Sequence, residues 1–309
     1  MKTTTEFKDP YGKSLHLITW MPNQKPVASV QILHGMAEHA ERYNLFANAL
    51  NKRGFVVYAH DHRGHGHTDS HQLGFIAESN GFSLMVENIK HIHEFIREQF
   101  HDIPIIMFGH SMGSFLLQRF FQVYDVEPDG IIYSGSSGKP PLMLHIGSIL
   151  SSFLKWLYGA EAKSPLLERL SFGAYNKEFK PNRTYFDWLS RDNEMVDLYI
   201  DDPLCGFTCS TSFYHQLFNG LLTLHSQRTF ADHNKNIPVL IVSGDNDPVS
   251  DMGKGIKNLE HLIRSSGVSS VDVQLYPGGR HEMLNETNRS EVIASVIDWI
   301  EYQIKSKRE

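Results

Sequence analysis

A serine between two glycines is the first feature of this sequence that could do chemistry. The run GHSMG occupies residues 109–113, after an apolar segment and before an apolar helical pattern. This context predicts a sharp turn from a strand into a helix, with Ser111 at its apex in a strained conformation. The hydroxyl would lie at a helix N-terminus, where the helix dipole favours a developing negative charge. The pattern therefore predicts that Ser111 is a nucleophile.

A nucleophilic serine needs a base to accept its proton and a third group to orient that base. Asp245 and Asp247 follow one late apolar strand, and His281 follows the next strand after two glycines. Acid before histidine is the order expected after such a serine. Because the carboxyl ends of parallel strands share one edge of a sheet, we expect these loops to lie beside Ser111. Spacing alone leaves both aspartates as candidates, and we expect the other one to bind loop amides.

Acyl transfer passes through a tetrahedral oxyanion, which needs two N–H donors already in place. The amide of Met112, directly after the serine, is the first predicted donor. The second is expected in the loop after an early strand, where the run HGMAEH occupies residues 34–39. Because Gly35 lets the backbone approach a substrate closely, we predict the amide of Met36 as the second donor.

These loops require a sheet that brings strand ends together. Short segments that are apolar on both faces alternate with helical patterns, which is typical of an α/β protein with a parallel sheet covered on both sides. A hairpin at 3–8 and 14–20 comes first, around the turn DPYG. Further strands are predicted at 27–33, 55–59, 103–108, 130–134, 237–243 and 271–276, and helices at 40–53, 82–100, 112–124, 252–265 and 289–305.

The alternation stops near residue 136 and resumes at 237, after a polar run at 231–236. A hundred residues without structure would be implausible inside a compact domain. Residues 137–236 are therefore predicted to form a helical cap, inserted between two core segments at 1–136 and 237–309. An apolar stripe within this insertion is predicted to pack on the core, while an acyl pocket or a lipid-surface contact remains the alternative. The stripe consists of Leu142, Ile146, Ile149, Leu150, Phe153, Leu154 and Leu157.

Taken together, the motifs resemble the α/β-hydrolase fold. Within that fold they resemble the monoacylglycerol lipase and bacterial lysophospholipase branch, also described as serine aminopeptidase-like. In that family the acid stands third after a glycine, so the resemblance selects Asp247 over Asp245. It implies hydrolysis of the ester of a single acyl chain, such as a monoacylglycerol or lysophospholipid, with no cofactor. The matching segments are HGMAEHAERY at 34–43, DHRGHG at 61–66, GHSMG at 109–113, GDND at 244–247 and GRH at 279–281.

Other functions remain open from the sequence. A peptidase, an amidase or a short-chain carboxylesterase could use the same three residues, and a non-catalytic binder could use the same fold. The histidine-rich run at 60–67 and the pair Cys205 and Cys209 are metal-like in composition. Neither supplies a complete ligand set, so no metal site is predicted. We expect the two cysteines to be buried and reduced.

Composition excludes several classes. The 309 residues carry 29 Lys and Arg against 35 Asp and Glu, a net charge of −6 without a long basic run, so nucleic acid is not an expected partner. The first residues, MKTTTEFKD, lack the apolar region of a signal peptide, and no apolar stretch suggests a membrane span. With only two cysteines, these features predict a cytoplasmic protein whose cap could touch a membrane surface. The oligomeric state is left undetermined.

Overall fold

The computed structural model describes residues 1–138, 143–224 and 235–306. Strands β3 to β8 are parallel to one another, whereas β2 is antiparallel to both of its neighbours, β1 and β4. Their order across the sheet is β1-β2-β4-β3-β5-β6-β7-β8. The strands are Lys2–Lys8 (β1), Ser14–Trp20 (β2), Ala28–Leu33 (β3), Phe55–His60 (β4), Ile105–His110 (β5), Gly130–Ser134 (β6), Val239–Gly244 (β7) and Val271–Tyr276 (β8).

Helices cover both faces of this sheet. Consecutive residues of β5 show the division, because Met107 joins the apolar cluster on one face while Ile106 and Phe108 join the cluster on the other. Every residue of β3 to β7 is buried, which explains why these strands are apolar throughout. The predicted α/β architecture is therefore confirmed. The helices are Asn44–Lys52 (α1), Gly81–Gln99 (α2), Met112–Val123 (α3), Met143–Tyr158 (α4), Pro165–Phe172 (α5), Asn193–Asp201 (α6), Thr211–Leu224 (α7), Lys254–Ser265 (α8) and Arg289–Ser306 (α9).

The apolar clusters show which helices face which side of the sheet. Residues of α2, α3, α7 and α8 belong to the cluster on one face, and residues of α1 and α9 belong to the cluster on the other. In a parallel sheet of this kind the loops at the carboxyl ends of the strands converge on one edge. The two helical layers therefore hold the loops that follow β3, β5, β7 and β8 in a fixed relation to one another.

Several elements differ by a few residues from their predicted bounds, most of all the first helix. The helix predicted at 40–53 begins as a 3₁₀ turn, Ala40–Tyr43, and becomes α-helical only in α1. The strand β5 starts two residues later than predicted, after Pro104, which has no N–H to give to the ladder. It extends to His110, so the strand runs directly up to Ser111.

Among the described residues, four α-helices, α4 to α7, lie in the chain between β6 and β7, which are neighbours in the sheet. The mainly helical content predicted for this region is confirmed for the described residues, whereas its division into core and cap stays a prediction. Residues 231–234 of the polar run lie outside the described residues. We call residues 143–224 the insertion from here on.

The apolar stripe of the insertion lies on α4 and is mostly exposed. Ile149 is 73% exposed, and Ile146, Phe153 and Leu157 are also exposed, whereas Leu154 is buried. The expectation that the stripe packs on the core is therefore wrong for its four exposed members. Leu142 lies outside the described residues. None of the helices in the described part of the chain combines the length and apolar character required to cross a bilayer.

Candidate active site

Ser111 lies at the apex of the turn between β5 and α3. Its φ of 50° places it in the left-handed region, which is strained for a residue that has a β-carbon. Its amide donates to the carbonyl oxygen of Ser134 in β6 at 2.9 Å. A β-carbon added to Gly109 would lie 2.6 Å from the Gly113 carbonyl oxygen, and one added to Gly113 would lie 2.2 Å from that of Leu33. The strained turn and its need for both glycines are thus confirmed.

His281 and Asp247 form a buried pair at the carboxyl ends of β8 and β7. Both carboxylate oxygens of Asp247 lie 3.0 Å from Nδ1 of His281. The amide of Val249 donates to the same carboxylate at 2.8 Å, which fixes its orientation. Burial works to lower the pKa of His281, but the charge and hydrogen bond of Asp247 outweigh it, so the pKa is raised above 6.5.

Asp245, the other candidate acid, has a different contact. Its Oδ1 accepts the amide N–H of Gly278 at 2.7 Å, which joins the two loops that follow β7 and β8. We expected the aspartate that does not orient the base to bind loop amides. Of the two carboxylates, the structure therefore brings Asp247 to the imidazole and Asp245 to the backbone beside it.

The ring of His110 contacts the loop that carries His281, next to the turn that carries Ser111. The ring centroids of His110 and His281 are 4.8 Å apart. A β-carbon added to Gly135 would lie 3.0 Å from Cε1 of each ring. Since Ser111 directly follows His110, the imidazole of His281 lies at the turn that carries the serine. Burial, with the neighbouring His281, lowers the pKa of His110 to about 4, so His110 is neutral at pH 7.

The loop after β3 also reaches the serine. A β-carbon added to Gly35 would lie only 3.3 Å from Cβ of Ser111. Met36 follows Gly35 and is half-buried, and Met112 is buried at the start of α3. The residues predicted to supply the two oxyanion donors are therefore next to the serine in the fold, one in sequence and the other through this loop.

A buried polar network that sequence reasoning missed holds this loop. Glu38 accepts the Gly35 amide at 2.5 Å and the Tyr43 hydroxyl at 2.9 Å. Arg42 donates to Glu38 at 2.5 Å and to both oxygens of Glu282 at 2.7 Å. Although burial raises the pKa of Glu282, Arg42 lowers it to about 2. Glu282 directly follows His281, so Arg42 ties the loop after β3 to the loop that carries the base.

The insertion contributes further bonds to the loop after β3. The Tyr199 hydroxyl and the Gly206 amide both donate to the carbonyl oxygen of Ala37, each at 2.9 Å. Ala37 itself has a φ of 55°, a strained value for a residue with a side chain. These bonds come from helix α6 and the segment after it, far along the chain, so the sequence offered no signal for them.

A histidine, a carboxylate and a thiol lie close together beside this loop. The possible ligand atoms of His39, Asp202 and Cys205 are within 4.8 Å of one another. His39 Nε2 and Asp202 Oδ2 are already hydrogen-bonded at 2.8 Å. Burial raises the pKa of the Cys205 thiol, and since a metal binds the thiolate, burial opposes an ion here. As expected, both Cys205 and Cys209 are buried and form no disulfide.

The histidine-rich run packs as a cluster of rings under the loop after β3. The centroid distances from His62 to His34 and to His60 are 4.3 and 4.6 Å, and His65 is 5.2 Å from His34. Burial lowers the pKa of His60 to about 3 and of His65 to about 4. Within this run, Asp61 accepts the backbone amides of Ala40 and His67 at 2.8 and 2.7 Å, so its carboxylate joins the run to the segment after β3.

Comparison with known proteins agrees with this geometry. The family Hydrolase_4, described as "Serine aminopeptidase, S33", matches residues 24–288. The monoacylglycerol lipase of Mycolicibacterium smegmatis is 28% identical over 286 residues, 91% of this chain and 90% of the relative. The mouse monoglyceride lipase is 26% identical over 296 residues, 95% of this chain and 88% of the relative.

Solved structures show the same fold. A thermostable carboxyl esterase from Bacillus coagulans, in complex with glycerol, superposes with a TM-score of 0.91 at 28% identity, covering 98% of this chain and 99% of the esterase. A monoglyceride lipase from Saccharomyces cerevisiae has a TM-score of 0.77 at 18% identity, covering 98% and 95%. The resemblance read from the sequence is thereby confirmed, and this chain belongs to the Hydrolase_4 (serine aminopeptidase S33) family of α/β-hydrolases.

Proposed function

We propose that this carboxylic ester hydrolase cleaves the ester of a single acyl chain, such as a monoacylglycerol or a lysophospholipid, through an acyl-enzyme on Ser111. The buried contact between Asp247 and His281 at the turn of Ser111 is the observation that carries the proposal. Two relatives named for monoacylglycerol hydrolysis support the substrate class. The glycerol bound to the similar esterase is also the alcohol that a monoacylglycerol would release.

The positions of Asp247, His281 and the turn of Ser111 support the following reaction. His281 takes the proton of the Ser111 hydroxyl as its oxygen attacks the ester carbonyl, and Asp247 stabilises the imidazolium that forms. The amides of Met36 and Met112 donate to the resulting oxyanion. The bond to the alcohol then breaks, and His281 gives its proton to the departing oxygen. Water, activated by the same imidazole, hydrolyses the acyl-enzyme and releases the fatty acid.

The raised pKa of His281 sets the pH dependence of this reaction. The base acts only when neutral, and the carboxylate of Asp247 favours the charged imidazolium. We therefore expect kcat/KM to rise with pH through a midpoint above 6.5, the ordinary value for histidine. A pH–rate profile with a soluble ester measures this directly, and a midpoint well below 6.5 would contradict the role of Asp247.

We further propose that the insertion is the cap of the site and that α4 contacts lipid. The exposed apolar side chains of α4 include Trp156, 78% exposed, and Ile149, 73% exposed. An exposed apolar patch of this kind is typical of an interaction surface. A substrate with one acyl chain partitions into membranes, so a helix that touches the bilayer would bring the site to the substrate. Vesicle flotation tests this contact.

The decisive experiment combines a hydrolysis panel with labelling of the serine. The panel covers monoacylglycerols, lysophospholipids, short esters and aminoacyl anilides, and a fluorophosphonate probe reports a reactive serine. We expect long-chain monoacyl esters to be the best substrates. Preference for the anilides would instead favour a peptidase or amidase, and no reaction with the probe would favour a non-catalytic binder.

The control for this experiment is a pair of serine variants. Ser111→Ala is expected to abolish both labelling and hydrolysis while the protein stays folded. Ser265→Ala, at an exposed position on α8, should change neither. Retention of near-normal hydrolysis by Ser111→Ala would overturn the mechanism.

A further inference from the structure

A short segment of the insertion lies along the loop that carries the proposed base. The carbonyl oxygen of Leu189 accepts the amide of Glu282 at 2.8 Å, and that of Trp188 accepts the amide of His281 at 3.4 Å. We call residues 187–190 the strap and residues 280–282 the base loop. Two consecutive amides of the base loop are thus held by backbone of the insertion, not by the sheet.

The side chain of Arg280 adds two more bonds between these segments. Its guanidinium donates to the carbonyl oxygens of Asp187 and of Ser190, the latter at 3.0 Å. It also lies over the ring of Phe179, 4.3 Å from its centroid. All four carbonyls of the strap therefore accept hydrogen bonds from the base loop.

The strap is fixed at its far end as well. Arg191 donates its amide and its Nε to the carboxylate of Glu286 at 3.0 and 2.8 Å. Glu286 is fully buried and also accepts the amide of Arg280 at 3.0 Å. Because one carboxylate binds residues on both sides of the contact, the strap and the base loop are expected to move as one unit.

The indole of Trp188 packs against the imidazole of His281. Their ring centroids are 5.1 Å apart and the ring planes are inclined by 38°. Trp188 is itself held by Phe172, stacked at 6.1 Å, and by the edge of Tyr175 at 5.0 Å. The imidazole also contacts the ring of His110 at 4.8 Å. The base therefore contacts two aromatic rings in addition to its bond with the acid.

The aromatic contacts restrict the orientation of the His281 ring more than its bond to Asp247 does alone. Asp247 holds one nitrogen of His281 and leaves the ring free to tilt about that bond. An aromatic neighbour restricts this tilt, excludes water and favours the positive charge that the imidazole carries during the reaction. We propose that Trp188 is a positioning residue for His281, and that the strap is a fixed part of the catalytic machinery. This inference rests on the proposed function, since it assigns a role relative to the base.

Exchange of the indole tests the proposal. Trp188→Leu removes the aromatic face, and Trp188→Phe keeps it. With a water-soluble p-nitrophenyl ester, we expect Trp188→Leu to lower kcat about tenfold and to change KM less than roughly threefold, because the base and not the binding is disturbed. Trp188→Phe should restore most of the rate. The control is Tyr185→Leu, the same kind of change at an exposed position near the strap, which should leave kcat unaltered.

A spectroscopic readout separates positioning from general stability. The proton on Nδ1 of His281, held by Asp247 and shielded from water, should give a low-field proton NMR signal. At a temperature where all variants are folded, we expect this signal to broaden in Trp188→Leu and to stay sharp in Trp188→Phe. Loss of stability alone would not broaden it in folded protein. A sharp signal together with an unchanged kcat in Trp188→Leu would overturn the proposal.

A second variant covers the case in which Trp188→Leu does not fold. Arg280→Met removes two bonds to the strap and leaves the indole in place. We expect a smaller loss of kcat, about threefold, with the same broadening of the signal. An unchanged rate and signal in this variant would also overturn the proposal. If the wild-type protein neither hydrolyses esters nor reacts with the fluorophosphonate, the proposed function fails, while the NMR comparison still tests the packing of the base.

Discussion

The exchange of Asp247 for asparagine tests the assignment of the acid. Both carboxylate oxygens lie 3.0 Å from Nδ1 of His281, and both side chains are buried. An asparagine of the same shape keeps the space filled but removes the charge. It also presents an NH₂ group that can donate to Nδ1, which would move the imidazole proton to Nε2. The nitrogen that should accept the serine proton would then already carry one.

The expected loss of kcat in Asp247→Asn follows from the distance between the carboxylate and the imidazole. With hydrogen-bonded atoms 3.0 Å apart, the centres of the two charged groups are about 4 Å apart, and at an effective dielectric constant of about 20 they attract by ~4 kcal/mol. This stabilisation applies to the imidazolium that forms during the reaction. Because each ~1.4 kcal/mol corresponds to a factor of ten in rate, we expect Asp247→Asn to lower kcat about a thousandfold.

Asp245→Asn is the matched control. Its carboxylate accepts one amide, that of Gly278, and an asparagine oxygen can accept the same bond. We expect a loss of kcat of about tenfold or less. The assay is steady-state hydrolysis of a soluble p-nitrophenyl ester, with circular dichroism to confirm that both variants are folded. Equal losses in the two variants, or an Asp247→Asn enzyme close to the wild type, would refute the assignment.

Three further predictions concern stability. Arg42→Met leaves the buried carboxylates of Glu38 and Glu282 without their partner and should lower the free energy of unfolding by about 3–5 kcal/mol in urea titrations; a loss below ~1 kcal/mol would contradict this. Gly113→Ala puts a β-carbon 2.2 Å from a backbone carbonyl, so little folded, active protein is expected on purification. Burial lowers the pKa of His60 in the folded protein to about 3, so folding favours the neutral imidazole. The contribution of this neutral imidazole to the free energy of unfolding is present above pH 6.5 and is lost as the pH falls towards 3. The urea midpoint should therefore depend less on pH in His60→Leu than in the wild type.

The sheet and the serine turn were predictable because local patterns encode them. Strands that are apolar on both faces and segments with helical periodicity indicate the α/β order. The two glycines around Ser111 indicate a tight turn, because a side chain at either glycine position would clash with backbone atoms. His281 and Asp247 could be placed because strand ends converge on one edge. The choice between Asp245 and Asp247 came from resemblance, since residues two apart in a loop differ only in where their side chains point.

The groups around these residues could not be predicted from the sequence. Arg42 binds Glu282, 240 positions later in the chain, and Trp188 of the insertion packs against His281. Contacts of this kind depend on how segments far apart in the chain pack together, which no periodicity in the sequence indicates. The failure of the packing prediction for α4 has a related cause, because an amphipathic pattern shows that a helix has an apolar face but not what that face meets.

Ala37 shows how closely the two parts of the chain depend on each other. Its carbonyl oxygen accepts hydrogen bonds from Tyr199 and Gly206, which belong to the stretch between β6 and β7. Exchanging this stretch for the corresponding stretch of a relative would also replace the groups that hold the loop after β3. A graft of this stretch must therefore reproduce both hydrogen bonds to the Ala37 carbonyl if the loop after β3 is to keep its conformation.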